Sequence, residues 1–217
     1  MPAPHMVVVA GPPGSGKSSL LRPPGDSELA YFNADERARD LNQGSGHNIS
    51  MAIRAVVNQD LEAFILDHIR EGRSFCYETT LRTTITYDQA RLAKSHGFRT
   101  VMQYVALSSV EDSIERVRAR AEQGGHSAPP ERIREIYEAS LKNLPRALTE
   151  FGYVEVYDNS DRVERGRPTL VLEGINGRIV SLIAQVPEWT VNALRGTEHE
   201  ITERLRSRVQ IPPRSSF

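Results

Sequence analysis

The stretch MVVVAGPPGSGKS, Met6 to Ser18, joins five apolar residues to a glycine-rich loop that closes on Lys17 and Ser18. A short apolar, β-branched run bounded by glycine predicts a buried strand over Met6 to Ala10. Gly11 to Ser18 fits the pattern G-x-x-x-x-G-K-[S/T], which cradles phosphate when it follows a strand and opens a helix. Glycines let successive backbone N–H groups turn inward on phosphate oxygens, and the helix N-terminus adds partial positive charge. Gly11, Pro12, Pro13, Gly14, Ser15, Gly16, Lys17, Ser18 and Ser19 are therefore the candidate ATP-binding residues. Lys17 is expected to reach the β- and γ-phosphates, and Ser18 to ligate Mg²⁺. Pro23, Pro24 and Gly25 limit the helix behind the loop to a turn or two.

Outward from this loop, strand and helix patterns alternate. Leu29 to Asn33 predicts a second strand, running into Asp35, and Ser74 to Tyr77 a third, running into Glu78. Between them Ile49, Ile53, Val56, Val57, Leu61, Phe64, Ile65 and His68 or Ile69 form the stripe of a long helix over Ile49 to Gly72. A helix over Ile85 to Gly97 and a strand over Thr100 to Leu107 follow. Val110, Ile114, Val117 and Ala121 mark another helix, the loop GGHSAPP interrupts, and Glu131 to Leu148 resumes the helical pattern before a fifth strand at Tyr153 to Tyr157. The alternation predicts an α/β P-loop NTPase fold, a parallel sheet with helices on both faces. Thr169 to Val186 predicts a hairpin turning at Asn176-Gly177, Pro187 to Arg206 a terminal helix, and Ile211 to Phe217 a frayed tail. Residues 1–165 read as the kinase core, and 166–217 as a small β/α extension of the same domain.

With 217 residues, a formal net charge of -1 and 39% hydrophobic residues, the chain has the composition of an ordinary globular protein. That balance gives no electrostatic case for nucleic acid or an acidic membrane as partner. No run approaches the roughly 20 apolar residues that span a bilayer, and the N-terminus lacks the pattern of a secretory signal. The single cysteine, Cys76, allows no intrachain disulfide, so a cytoplasmic location is expected. Cys76 itself reads as a small core residue, and His5, His47, His68, His96 and His199 have no metal-ligand spacing.

A phosphate loop alone does not separate kinases from motors or switches. Ligands of alternating α/β sheets gather at the carboxyl ends of the strands, which draws attention to three further groups. Asp35, in FNAD, could accept the proton of a hydroxyl attacking the γ-phosphate, or could cap a helix starting at Glu36. Tyr77 to Arg82, YETTLR, places a carboxylate, two hydroxyls and an arginine at a strand end, suited either to substrate or to a helix cap with a surface ion pair. Arg116 and Arg120 share one flank of their helix while Arg118 lies on the other; they could close over triphosphate charge, or pair with Glu115 and Glu122 in solvent. Gly124-Gly125 forms a hinge-like step before His126, which could meet phosphate or cap the next helix.

Taken in order, GPPGSGKS, FNAD, ETTLR, RVRARAEQGGH and VYDNS resemble the zeta toxin family of P-loop kinases, over about Met6 to Ser160. The resemblance implies an ATP-dependent enzyme with kinase-type lid helices. It implies transfer of the γ-phosphate to a 3′-hydroxyl of a UDP-amino sugar such as UDP-N-acetylglucosamine, and brings in an antitoxin protein as a candidate partner. By resemblance Asp35 is the base, Lys17, Arg116 and Arg120 surround the phosphates, and Asp158 and Asn159 hold the adenine. Asn33, Glu78, Thr79, Thr80, Arg82, His126 and Arg134 then belong to the substrate side. The segment REIYEAS departs from the family pattern, with Ile136 where another arginine is usual. Other acceptors (a nucleoside, an antibiotic or a polynucleotide end) and a non-catalytic ATP-binding regulator stay open on the residues alone.

Overall fold

The computed structural model describes residues 2–20, 29–122, 128–161 and 167–209. Five strands run parallel: β1 (His5–Ala10), β2 (Ala30–Phe32), β3 (Phe75–Thr79), β4 (Arg99–Ala106) and β5 (Tyr153–Asp158). The hairpin β6 (Thr169–Ile175) and β7 (Arg178–Leu182) adds two antiparallel strands to the same sheet, in the order β2-β3-β1-β4-β5-β6-β7. Its turn is at Asn176-Gly177, both with positive φ (46° and 78°), the geometry that an Asn-Gly pair favours.

β1 lies between β3 and β4, so the loop that follows it opens at the middle of the sheet. Its side chains alternate between two apolar clusters. Met6, Val8 and Ala10 join the main core with Phe75, Tyr77, Tyr104, Leu144 and Leu172. Val7 and Val9 pack with Cys76, Leu20 and Leu29 on the other face. A strand buried on both faces explains the unbroken apolar run.

The helices are α1 (Ala34–Leu41), α2 (Met51–Glu71), α3 (Ile85–Ser95), α4 (Val110–Glu122), α5 (Pro130–Glu150), α6 (Glu188–Leu194) and α7 (Glu203–Val209). α2 starts where the Ser50 hydroxyl accepts from the Ile53 N–H, and ends at Gly72 with φ 64°. Val57, Ile65, His68 and Ile69 are its buried side, whereas Val56, expected in the stripe, is exposed.

One expectation is corrected. The terminal helix over Pro187 to Arg206 is instead two short helices, with Gly196 at φ 70° in the break between them. The helix behind the phosphate loop is a single 3₁₀ turn, Lys17–Ser19, within the turn or two expected. The predicted stop at Pro23, Pro24 and Gly25, the Gly124-Gly125-His126 loop and the tail from Ile211 lie outside the described residues.

Candidate active site

The phosphate loop owes its shape to three glycines with positive φ: Gly11 (145°), Gly14 (72°) and Gly16 (89°). A Cβ on Gly11 would sit 2.0 Å from the Val105 carbonyl oxygen, and one on Gly14 would sit 2.6 Å from that of Ser113. Neither position has room for a side chain.

The loop is supported from three distant segments. The Gly11 N–H donates to the Thr79 carbonyl at the end of β3 (3.2 Å). The Ser113 hydroxyl of α4 donates to the Pro13 carbonyl (2.8 Å). The Asn159 amide, fully buried, donates to the Ser15 carbonyl (2.8 Å). The Ser15 hydroxyl is buried and has no partner among the described residues. An orphaned donor inside a glycine cradle fits a loop built to receive a ligand oxygen.

Lys17 lies back across its own loop, its ammonium donating to the Gly11 and Pro12 carbonyls (both 3.0 Å). Burial holds its pKa below the ordinary 10.5; Glu78 and Asp35 oppose that shift and Arg120 adds to it. Groups from β3, α1 and α4 thus share one electrostatic neighbourhood with the loop lysine.

Glu78 is on the same face of β3 as Cys76, two residues apart. Its Oε1 accepts from the Ser18 hydroxyl (3.2 Å) and from the Tyr31 hydroxyl (2.6 Å). An acidic residue bonded to the loop serine leaves that serine's lone pairs free for a cation. Burial and the nearby Glu78 push the Cys76 thiol up to about 12, so it stays protonated in the core.

Asn33, not Asp35, caps α1: its Oδ1 accepts from the Asp35 and Glu36 N–H groups (2.9 and 3.2 Å). The capping role left open for Asp35 is therefore excluded, and its carboxylate is exposed at the first turn of α1. The other end of the Asn33 amide donates to the Tyr31 hydroxyl (3.1 Å).

After β3, Leu81 is fully buried with φ 55°, an uncommon conformation for a leucine. The Leu81 N–H donates to the Thr79 hydroxyl (3.2 Å), and its carbonyl accepts from the Asn143 amide of α5 (2.8 Å). This kink sets Thr80 and Arg82 on either side of a fixed point. Neither Thr79 nor Thr80 caps α3, whose cap residue, Thr84, makes no side-chain cap bond. Burial and the neighbouring Arg132 and Arg54 hold the Arg82 guanidinium below its ordinary pKa, so arginines of α2, α5 and this loop concentrate positive charge here.

Four expected site residues have partners within the protein. Arg116 donates to the Asn159 and Ser160 carbonyls (3.1 and 3.3 Å) and so braces the loop after β5, leaving Arg120 alone near Lys17. Arg118, on the opposite flank, takes the solvent pair with Glu122 (3.4 Å). Arg134 is paired to Glu111 at the start of α4 (2.6 Å) and holds that carboxyl below its usual range. The Asn159 amide donates to the Ser15 carbonyl, and Asp158 Oδ1 accepts from the Ser160 N–H and hydroxyl (2.9 and 2.5 Å). Tyr31, Ser113 and Asn143 went unnoticed in the sequence. Only Tyr31 carried a signal there, as a polar aromatic two residues before Asn33 on a strand that ends at the site.

Among the described residues no helix is long and apolar enough to cross a membrane, and no His, Cys, Asp and Glu residues cluster as metal ligands. A central phosphate loop after β1, acidic residues beyond β2 and β3, and an arginine-bearing helix over the loop define a P-loop kinase. Within that class the chain belongs to the zeta toxin family, which it matches over residues 1–165.

An uncharacterized protein of Haemophilus influenzae is 27% identical over 122 residues, 55% of this chain and 83% of that one. The structure of the PezAT chromosomal toxin-antitoxin system of Streptococcus pneumoniae is similar with a TM-score of 0.61 at 16% identity, over 96% of this chain and 84% of that chain. AvrRxo1-ORF1:-ORF2 with ATP is similar with a TM-score of 0.60 at 16% identity, over 82% of this chain and 60% of the matched one. The chain thus spans less than two thirds of that structure's length, and at these identities the likeness is one of fold.

Proposed function

We propose that the protein transfers the γ-phosphate of ATP to a hydroxyl of a sugar nucleotide, a UDP-amino sugar such as UDP-N-acetylglucosamine. The observation that carries this reading is the convergence of Asp35, Glu78 and Arg120 on Lys17 from three separate elements. An exposed carboxylate beside the phosphate loop can serve as the base that a kinase needs for its acceptor hydroxyl. The arginine concentration around Arg82 suits an acceptor that is itself anionic, as a nucleoside diphosphate is.

In this reading the loop N–H groups and Lys17 hold the donor phosphates, and Ser18, oriented by Glu78, is the protein ligand of Mg²⁺. MgATP, when bound, supplies the phosphoryl group and part of its charge neutralisation. Asp35 accepts the proton of the acceptor hydroxyl as its oxygen bonds to the γ-phosphorus and the bond to the bridging oxygen breaks. Arg120 balances charge on the transferring group, while Thr80 and Arg82 bind the acceptor beyond Glu78. Ser113, Arg116 and Asn159 maintain the shape of the loop.

Incubation with ATP, Mg²⁺ and a panel of sugar nucleotides, read by mass spectrometry, is expected to yield a product heavier by one phosphate. Lys17→Ala and Asp35→Ala should each abolish that product. ATP hydrolysis indifferent to acceptor and to Asp35→Ala would refute the assignment. The toxin-antitoxin system among the structural neighbours supports an antitoxin protein as partner.

A further inference from the structure

Glu78 reaches the site on a side chain with three rotatable bonds, yet its proposed role of orienting Ser18 needs a fixed carboxylate. The structure contains a device that fixes it. Tyr31 is opposite Cys76 in the β2–β3 register, and Cys76 and Glu78 share a face, so the Tyr31 ring extends along that face toward Glu78. Its hydroxyl donates to Glu78 Oε1 at 2.6 Å, while the same oxygen accepts from Ser18 at 3.2 Å. The Tyr31 oxygen in turn accepts from the Asn33 amide at 3.1 Å, and Asn33 caps the helix that carries Asp35.

The result is one continuous run of hydrogen bonds from the first turn of α1 through Asn33, Tyr31 and Glu78 to Ser18. Both donors fall on Oε1. The run also ties the helix that carries the proposed base to the phosphate loop.

We infer that Tyr31 is a positioning residue of the kinase site: it sets the orientation of Glu78 and, through Asn33, the spacing between Asp35 and Ser18. The inference rests on the kinase reading above. Tyr31 need not touch either substrate for this, and its hydroxyl keeps its proton at any working pH because burial and Glu78 both raise its pKa.

Tyr31→Phe removes one oxygen from a ring that is 39% exposed and is not expected to disturb folding. A lost hydrogen bond to a charged group predicts roughly a ten- to hundredfold fall in kcat/KM for the acceptor. ATP affinity, measured by calorimetry without acceptor, should change by less than about threefold, since the loop contacts remain. In a double-mutant cycle, Tyr31→Phe combined with Glu78→Ala should be no slower than Glu78→Ala alone, because Tyr31 acts through Glu78. Acceptor kinetics unchanged in Tyr31→Phe, or losses that simply multiply in the double variant, would overturn the assignment while leaving the kinase reading intact. Failure of the unsubstituted protein to phosphorylate any acceptor would overturn the kinase reading and this assignment with it.

Discussion

Asn159 offers a direct test of what the loop after β5 does. Its side chain is fully buried, its N–H donates to the Ala106 carbonyl (3.0 Å) and its amide donates to the Ser15 carbonyl (2.8 Å). In Asn159→Ala the backbone bond survives, but the Ser15 carbonyl is left buried without its donor. Stranding a buried acceptor costs about 1–3 kcal/mol. The Asn159 Oδ1, which has no partner among the described residues, is removed as well, and this offsets part of the penalty. A net loss of about 1–2 kcal/mol should lower Tm by roughly 2–8 °C in a chain of this size. Because the Ser15 carbonyl helps to aim the loop, ATP and GTP should both bind more weakly, by similar factors. Thermal unfolding with and without nucleotide, together with calorimetric titration of the two nucleotides, reads all of this. An unchanged Tm combined with a selective loss of ATP over GTP would place Asn159 on the adenine and refute the structural role.

Two further substitutions bear on the loop. Gly14→Ala requires φ 72° and brings a Cβ to 2.6 Å from the Ser113 carbonyl; nucleotide binding should be lost, with α4 displaced, as calorimetry and hydrogen exchange over 110–122 would show. Lys17 is held below 10.5 by burial, with Glu78 raising and Arg120 lowering it. ATP affinity should therefore decline on the alkaline side as Lys17 loses its proton. Glu78→Gln should move that decline to lower pH and Arg120→Ala to higher pH; shifts of the same sign in titrations from pH 7 to 10 would contradict the geometry.

Much of the fold was legible because its signals are local. The β-branched run before Gly11, the stripe of α2 with Ser50 and Gly72 at its ends, and the Asn176-Gly177 turn each express a backbone preference within a few residues. The parallel course of the first five strands followed from their alternation with helices. The break at Gly196 was not legible, since residues on both sides keep apolar positions at helical spacing and one glycine decides between one helix and two. In the site, the loop glycines, Glu78 and Asp35 could be found by position at strand ends. The partners of Arg116, Arg134 and Asn159 could not, because each is bound to a residue of another segment: Arg116 at a separation of 43, Arg134 of 23 and Asn159 of 144. The choice of Asn33 over Asp35 as cap was a closer matter. Both are good capping residues, and the strand's end one residue earlier, at Phe32, selects the first.

The distant supports of the phosphate loop bear on when the enzyme comes to life. Ser15 leaves the ribosome 144 residues ahead of the asparagine that holds its carbonyl in place. At a synthesis rate of about 5–20 residues per second, that is a lag of roughly 7–30 s. Through this interval the nascent chain carries the whole GPPGSGKS signature with one of the loop's three supports missing. A chain broken off before Asn159 therefore retains the motif but holds the Ser15 carbonyl without its donor, so the signature is complete long before the site is.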